Sequence, residues 1–455
     1  MTSSNPTPKP PINEQLADGL LKLIMAGGLA GGGAGAFWSL FREDDLPKAL
    51  ASLVIGVGIS YGASLLSPIH KGNRRRLAAT GQAADQRLDR LSESAIATIT
   101  ALRDRYLACQ AADCETYSTE GVGKSAGIFT PLLDEVFVSL ELAGGSWQPG
   151  FSELDPDQPR VGLAAGTVSI WDLLRLAQKD RVYRQIAVLA WGGYGKTTLL
   201  RHVAYKLGKQ DQPQGVPNYL PVLLLLRKYR QLLTQEEPPD LPTLIAQHHL
   251  PSLPVSDGVR MTPGWMKDQL RRGQVVVLLD GFDEVPKPQR PQVAGWLNRQ
   301  MVAYGRSVFV LTARPKAYTE QTGAERLDFS TLLWVKDFQP QQRRSFIEKW
   351  YWCQEFYYHG KTDIPAVRQA ATAAAQDLIR QIDQREALTQ LAKNPLLLNM
   401  IALFHRRFPQ AELPRRQVEL YQEICRLQLQ DRPSARSIET VLYDCDAQGI
   451  LQRLA

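Results

Sequence analysis

Two short stretches bring together side chains suited to phosphate chemistry. The first is Gln185 to Leu207, QIAVLAWGGYGKTTLLRHVAYKL, in which the apolar run Ile186 to Leu189 enters a glycine-rich turn and Lys196-Thr197 opens an amphipathic helix. Backbone N–H groups around Gly192, Gly193 and Gly195 can point into one concavity, and the helix N-terminus adds its dipole. Lys196 then reaches the β- and γ-phosphates of a nucleotide, Thr197 ligates Mg²⁺, and the turn through Tyr194 to Thr198 wraps the phosphates. The pattern G-x-x-x-x-G-K-[ST] expects glycine first, and this chain has Ala190 there, the mildest replacement. The second stretch is Asp280-Gly281-Phe282-Asp283-Glu284, which ends the apolar run Gln274 to Leu279. A carboxylate at the C-terminal end of a parallel strand, beside a phosphate loop, is where an acid that organises Mg²⁺ belongs. Asp280 takes that part, through water; Asp283 and Glu284 are placed to orient or deprotonate the attacking water.

The elements that must hold these residues can be read around them. Leu220 to Leu226 is a continuous apolar run, as a central parallel strand should be. Arg306 to Arg314, RSVFVLTAR, is a further buried strand, and its end carries Thr312 and Arg314, a polar residue and a cation able to sense a γ-phosphate. Strands alternating with helical stretches make a three-layer α/β domain with a parallel sheet. Upstream, Thr167 to Ala177 reads as a short helix whose Ile170 and Trp171 either wall an adenine or pack in the core. Glu135 to Leu142 alternates as a strand does, and Ser146 to Gly166 reads as a loop and boundary. Leu88, Leu91, Ala95, Ile99, Leu102 and Tyr106 recur at steps of three and four, the stripe of an amphipathic connector helix. Gly121 to Ser125 also ends in G-K-S, but Ser118 stands at the first motif position and no apolar strand precedes it, so it reads as an ordinary turn.

At 455 residues the chain has room for several domains and a large core. Five scattered cysteines lack metal spacing and fit a reducing cytoplasm. A net charge of +7 is moderate, and no basic-aromatic module frames a nucleic-acid site. The aromatic cluster from Trp350 to Tyr358 reads as core or domain interface, and His248-His249 lacks a third ligand at metal spacing.

Near the start, two apolar segments, about 20–41 and 46–69, are each long enough to cross a hydrocarbon core of about 30 Å. Only Arg42 to Asp45 separates them, and Lys71, Arg74, Arg75 and Arg76 follow, which by the positive-inside rule puts both termini in the cytoplasm. The pairs Gly27/Gly31, Gly28/Gly32 and Gly58/Gly62 permit close helix contact, within the hairpin or between subunits. A cleaved signal peptide is not expected, because a second span follows the first.

With these motifs in place the chain resembles the NACHT NTPases of the STAND class. LLDGFDEV (Leu278 to Val285) looks like their Walker B signature and VLTARP (Val310 to Pro315) their sensor-1 segment. Phe338 to Trp350 and Asn394 to Met400 look like the helical domain that follows, and Leu413 to Tyr421 like the entry to a winged helix. The resemblance implies an ATP/ADP switch that oligomerises when a sensor detects a signal. It implies that Lys196 and Thr197 bind phosphate and Mg²⁺, Asp280 serves the metal, Asp283 and Glu284 support hydrolysis, Arg314 reads the γ-phosphate, and Pro395 lies over the base. The family's winged-helix histidine has no counterpart here, since His405 comes too early. No repeat of 20 to 50 residues is visible, so the chain is a fragment or its sensor lies elsewhere.

The expected organisation is an N-terminal segment at 1–19, a transmembrane hairpin at 20–70, a helical connector with a short strand at 71–164, a nucleotide-binding domain at 165–330, a small helical domain at 331–410, and the start of a winged helix at 411–455. The expected function is a slow, Mg²⁺-dependent ATPase anchored in the cell inner membrane. It acts as a signalling switch in anti-phage defence or stress response, forming a homo-oligomer on activation by a trigger, expected to be a protein. Its hairpin would be an effector or an anchor in the lipid bilayer. The alternative is a motor-like membrane ATPase for transport or remodelling, which would need fast turnover and an arginine finger.

Overall fold

A computed structural model of the chain describes residues 100–117, 129–144, 166–320 and 326–408, with single residues at 413, 419, 422 and 449. The expected hairpin at 20–70, the G-K-S turn, the loop at 146–165 and all but four residues of the expected winged-helix entry lie outside these. Among the described residues no helix is long and apolar enough to cross a membrane.

Seven strands form one sheet in the order β2-β1-β7-β3-β6-β5-β4. They are β1 (Leu142–Gly144), β2 (Thr167–Val168), β3 (Gln185–Leu189), β4 (Leu220–Leu225), β5 (Val275–Asp280), β6 (Val308–Ala313) and β7 (Thr331–Val335). The five strands β7, β3, β6, β5 and β4 run parallel, and β1 and β2 add an antiparallel edge. The apolar runs form central strands because both faces are covered. Ile186, Val188, Leu278 and Val310 face one core, whereas Ala187, Leu189, Leu279 and Leu311 face the other. That alternation is the period of two that a strand imposes on its side chains.

The helices around the sheet begin with α1 (residues 100–114), α2 (Leu133–Val136), α3 (Ile170–Leu176) and α4 (Lys196–Gly208). Next come α5 (Leu226–Leu233), α6 (Pro263–Arg271) and α7 (Arg290–Ala303). A second group follows: α8 (Pro340–Tyr358), α9 (Pro365–Asp383), α10 (Glu386–Leu391) and α11 (Pro395–Arg407). Trp350 and Tyr351 of α8, Leu378 of α9 and Ile401 of α11 join the same apolar core as Ile186 and Val188 of the sheet.

Three boundaries differ from expectation. β7 pairs in parallel with β3, so the sheet continues past residue 330 into the stretch assigned to the helical domain. TLLWV is a five-residue apolar run whose Leu333, Trp334 and Val335 are buried, which makes it a sheet strand. Glu135 to Leu142 is not a strand. Its start coils into α2, because the Glu135 carboxylate accepts a hydrogen bond from the Leu132 N–H (3.0 Å) and another from the Tyr357 hydroxyl (3.0 Å). The strand proper begins at Leu142 and extends the nucleotide domain's sheet rather than the connector. In α3, Ser169 caps the helix with its hydroxyl and Asp172 bonds back to the Ser169 N–H (3.0 Å), a reciprocal cap that starts the helix after Val168.

Candidate nucleotide site

The glycine-rich turn grows out of β3. Ala190 continues the ladder, its N–H donating to the Ala313 carbonyl (3.2 Å), and it stays out of the left-handed backbone region. An alanine at the first motif position is therefore accommodated. The left-handed conformations fall on Gly193 (φ 84°) and Gly195 (φ 77°), where a side chain would be strained. Gly195 caps α4 with no side-chain acceptor, so the first N–H groups of this 13-residue helix face the turn. The Lys196 ammonium donates to the carbonyls of Ala190 (2.8 Å) and Trp191 (3.0 Å), two neutral acceptors on the turn it serves. Burial holds the ammonium below its ordinary range, while Asp283 and Asp280 pull the other way.

Asp280, only 4% exposed, ends β5 beside Thr312 of β6. Its Oδ2 accepts from the Thr197 hydroxyl (2.8 Å) and its Oδ1 from the Thr312 hydroxyl (2.6 Å). Thr312 in turn accepts from the Gly281 N–H (3.0 Å), which fixes the turn after the strand. Burial pushes the Asp280 carboxyl up, and the bonds from Thr312 and Thr197 and the Lys196 charge pull it back. A hydroxyl and a carboxylate side by side form a hard oxygen donor set of the kind that would suit Mg²⁺. Among the described residues no group of three or more His, Cys, Asp and Glu could hold a metal.

The other two acids are each claimed by an arginine. Asp283 accepts from the Arg314 N–H (3.0 Å) and pairs with the Arg314 Nε (3.0 Å). Arg314 is thereby aimed at the turn: a Cβ built on Gly192 would lie 3.7 Å from its Nη2. Glu284 pairs with Arg227 (3.0 Å), the residue after the first position of α5, and burial raises the Glu284 carboxyl against the pull of Arg227. Arg227 was not singled out by the sequence, although it is the first basic residue after a central apolar run.

A second contribution comes from the helical domain. Asn394 caps α11, its Oδ1 accepting from the N–H groups of Leu396 (3.0 Å) and Leu397 (3.3 Å). Its Nδ2 donates to the Gly192 carbonyl (3.1 Å), and the Leu396 N–H donates to the Gly193 carbonyl (3.1 Å). A Cβ on Gly193 would sit 2.7 Å from Asn394 Oδ1 and 2.9 Å from Leu396 Cβ. The Tyr194 hydroxyl donates across to Asp337 (2.9 Å), and burial, helped by that carboxylate, raises its pKa to about 12. Pro395, the first residue of α11, stands between the two residues that hold the turn. The sequence marked the NPLLLNM segment but not these bonds.

Lys196, Thr197, Asp280, Asp283 and Arg314 thus share one locus with Gly192 to Gly195, and Glu284 adjoins it. Thr198 continues α4. Ile170 (2% exposed) and Trp171 (8%) lie in the core, with Trp171 edge-on to His202 at 6.3 Å, so packing is what the structure gives them. His249 is bonded to Tyr229 (3.0 Å) and Gln110 (3.0 Å), and His405 to Tyr351 (2.5 Å) and Asp377 (2.9 Å), partners that make both parts of buried polar networks.

Residues 184–352 match the model of the NACHT domain. No curated protein matches the chain. Among solved structures the chain is similar to C. elegans PCH-2, at 14% identity over 52% of this chain and 67% of that one, with a TM-score of 0.27. It is similar to the Aeropyrum pernix ORC1 protein, solved in complex with DNA, at 15% identity, 56% and 64% coverage and a TM-score of 0.33. It is also similar to domain III of the Thermotoga maritima replication initiation protein DnaA, at 12% identity, 56% and 90% coverage and a TM-score of 0.28. The chain spans about two thirds of the length of the first two.

Proposed function

Since residues 184–352 are a NACHT domain, a P-loop NTPase domain of the STAND type, we propose that the chain is an ATP/ADP switch in which nucleotide state sets the position of the helical domain. The observation that carries this reading is the pair of bonds from Asn394 and Leu396 to the Gly192 and Gly193 carbonyls. A turn that grips phosphates through its N–H groups is held from behind through its carbonyls, so the two events act on one strip of backbone. In this reading Lys196 turns from the Ala190 and Trp191 carbonyls to the phosphates, and Thr197 and Asp280 hold Mg²⁺. That ion, when bound, neutralises phosphate charge. Glu284 orients the attacking water or takes its proton, held in place by Arg227. Arg314 leaves or keeps Asp283 according to the presence of a γ-phosphate. Hydrolysis resets the switch and is slow.

The two apolar segments at 20–70 would anchor this switch in the inner membrane, and activation by a protein trigger would bring subunits together as a homo-oligomer. That part rests on their length, on the basic residues after them and on the NACHT assignment. The test measures ATP turnover and oligomer size in the purified full chain with ADP or a non-hydrolysable ATP analogue. The expected result is turnover well under one per second and a larger assembly with the ATP analogue. A rate of roughly tens per second, with one size in both nucleotides, would identify a motor-like ATPase instead. Growth and membrane potential of cells expressing the chain, Lys196→Ala, or a form lacking residues 1–70 separate effector from anchor. Depolarisation abolished by both changes, at equal expression, makes the hairpin an effector gated by nucleotide.

A further inference from the structure

At the opposite end of the same strands lies a cavity of about 820 Å³ whose lining includes Arg103, Arg184, Arg272 and Arg306 and no acidic residue. Its walls are the entries to four adjacent parallel strands. Arg184 precedes β3, Arg306 lies two residues before β6, Gly273 and Gln274 precede β5, and Asn218 and Tyr219 precede β4. Arg103 comes from α1, whose Tyr106 hydroxyl donates to the Pro221 carbonyl (3.0 Å) and so fastens that helix to the entry of β4.

The arginines are positioned without being neutralised. Arg103 donates to the Asn218 carbonyl and Arg184 Nε to the Ala177 carbonyl (3.0 Å), uncharged acceptors that orient each guanidinium, and the neighbouring Asp104 acts on Arg103 at longer range without forming an ion pair. Among the described residues none of the four forms an ion pair, although Asp104, exposed, follows Arg103 along α1. Gly273 (φ 72°) brings two of them together: a Cβ there would fall 2.6 Å from the Arg306 carbonyl oxygen, an approach that only glycine permits. The C-termini of α4, α6 and α7 face this end of the sheet and favour nearby cations. That preference calls for a cation at each helix end, but does not require four guanidiniums to converge on one hollow.

We propose that this cavity is a second ligand site, separate from the nucleotide site, for a compact small molecule carrying several phosphate groups. Guanidinium forks match phosphate oxygens in bidentate fashion. A concave site of this volume suits a compact polyanion, whereas a nucleic-acid strand needs an extended basic track with stacking aromatics. Such a ligand would bridge α1 to the strand entries. The site stands independently of the switch reading.

The test titrates inositol hexakisphosphate into the full chain with excess Mg²⁺ and ADP, by calorimetry. The expected result is one site, weakened about tenfold or more in the double variant Arg272→Gln/Arg306→Gln and unchanged in Lys196→Ala. Neither Arg272 nor Arg306 has a side-chain hydrogen bond among the described residues, so the variant should keep its thermal midpoint. Should it unfold, Arg272→Lys/Arg306→Lys keeps the charge and loses the fork, and intermediate affinity is expected. The proposal is overturned by no binding to the parent chain, by binding that the arginine variants leave unchanged, or by loss of binding in Lys196→Ala. It is equally overturned if oligothymidylate binds through these arginines while inositol hexakisphosphate does not.

Discussion

The two ends of the central strands treat charge in opposite ways. At the C-terminal end every acid has a partner: Asp280 is bonded to Thr197 and Thr312, Asp283 to Arg314 and Glu284 to Arg227. At the N-terminal end four arginines line a hollow with no carboxylate among them. Such pairing fixes the Asp280, Asp283 and Glu284 side chains relative to the strand ends before anything binds. At the other end the guanidiniums have no ion pair among the described residues, and the proposed polyanion would supply one. The same strands thus present a preorganised site at one edge and an electrostatic demand at the other.

The sharpest way to break the paired end is Asp280→Ala, which removes the carboxylate that joins Thr197 to Thr312. Hydrolysis should fall about a hundredfold or more, read as ATP turnover, while the arginine cavity keeps its affinity for a polyphosphate. Loss at both ends would mean that the change unfolds the sheet. Next in size is Gly193→Ala. Its Cβ would collide with Asn394 and Leu396 and would occupy a left-handed backbone, so a cost of about 2 kcal/mol or more is expected. Hydrogen exchange should show α11 opening while β3 and β6 stay protected.

Away from both ends, two buried histidines give a pH dependence of stability against which the ends are measured. Burial lowers His202 to about 4 and His249 to about 3. Both stay neutral in the folded chain while an unfolded imidazole, near 6.5, takes a proton. The unfolded state then binds more protons, so stability is full above the unfolded value and falls as pH drops from about 6.5 towards 4, by about 2 kcal/mol or more. Urea midpoints at pH 7 and pH 5 check the direction. The smallest effect is expected from Arg227→Gln, where Glu284 loses the cation that positions it. Turnover should drop about tenfold with nucleotide affinity unchanged. An equal loss of affinity would make Arg227 a ligand contact rather than a positioning residue.

Most of the sheet was legible because its strands are buried on both faces and read as unbroken apolar runs, as in VVVLLD and VFVLTA. β7 was not anticipated: five residues with two exchangeable readings carry no period long enough to separate strand from helix. The alternation in Glu135 to Leu142 was genuine, but Glu135 is taken by Leu132 and Tyr357, a contact some 220 residues away that no local pattern records. The same holds at the site. Lys196, Thr197 and Asp280 sit in motifs, so their types and offsets were enough to place them at one strand edge. Arg227, Thr312 as the partner of Asp280, and Asn394 act through pairings between separate elements, and only the fold brings those together. The first-position Ala190 looked like a weakness from the pattern. In the structure the backbone there is ordinary, and the demand for glycine falls at Gly193 and Gly195.

Asn394 has one more consequence. Its carbonyl oxygen begins a helix and its amide nitrogen holds a loop, so folding α11 and latching the turn are performed by a single planar group. The two cannot be tuned apart. Any ligand that pushes the turn away from Asn394 also pulls at the first coil of α11, and any strain that frays α11 loosens the turn by the same free energy. The amide works as a two-way hinge pin: whichever side is pressed, the other must register it.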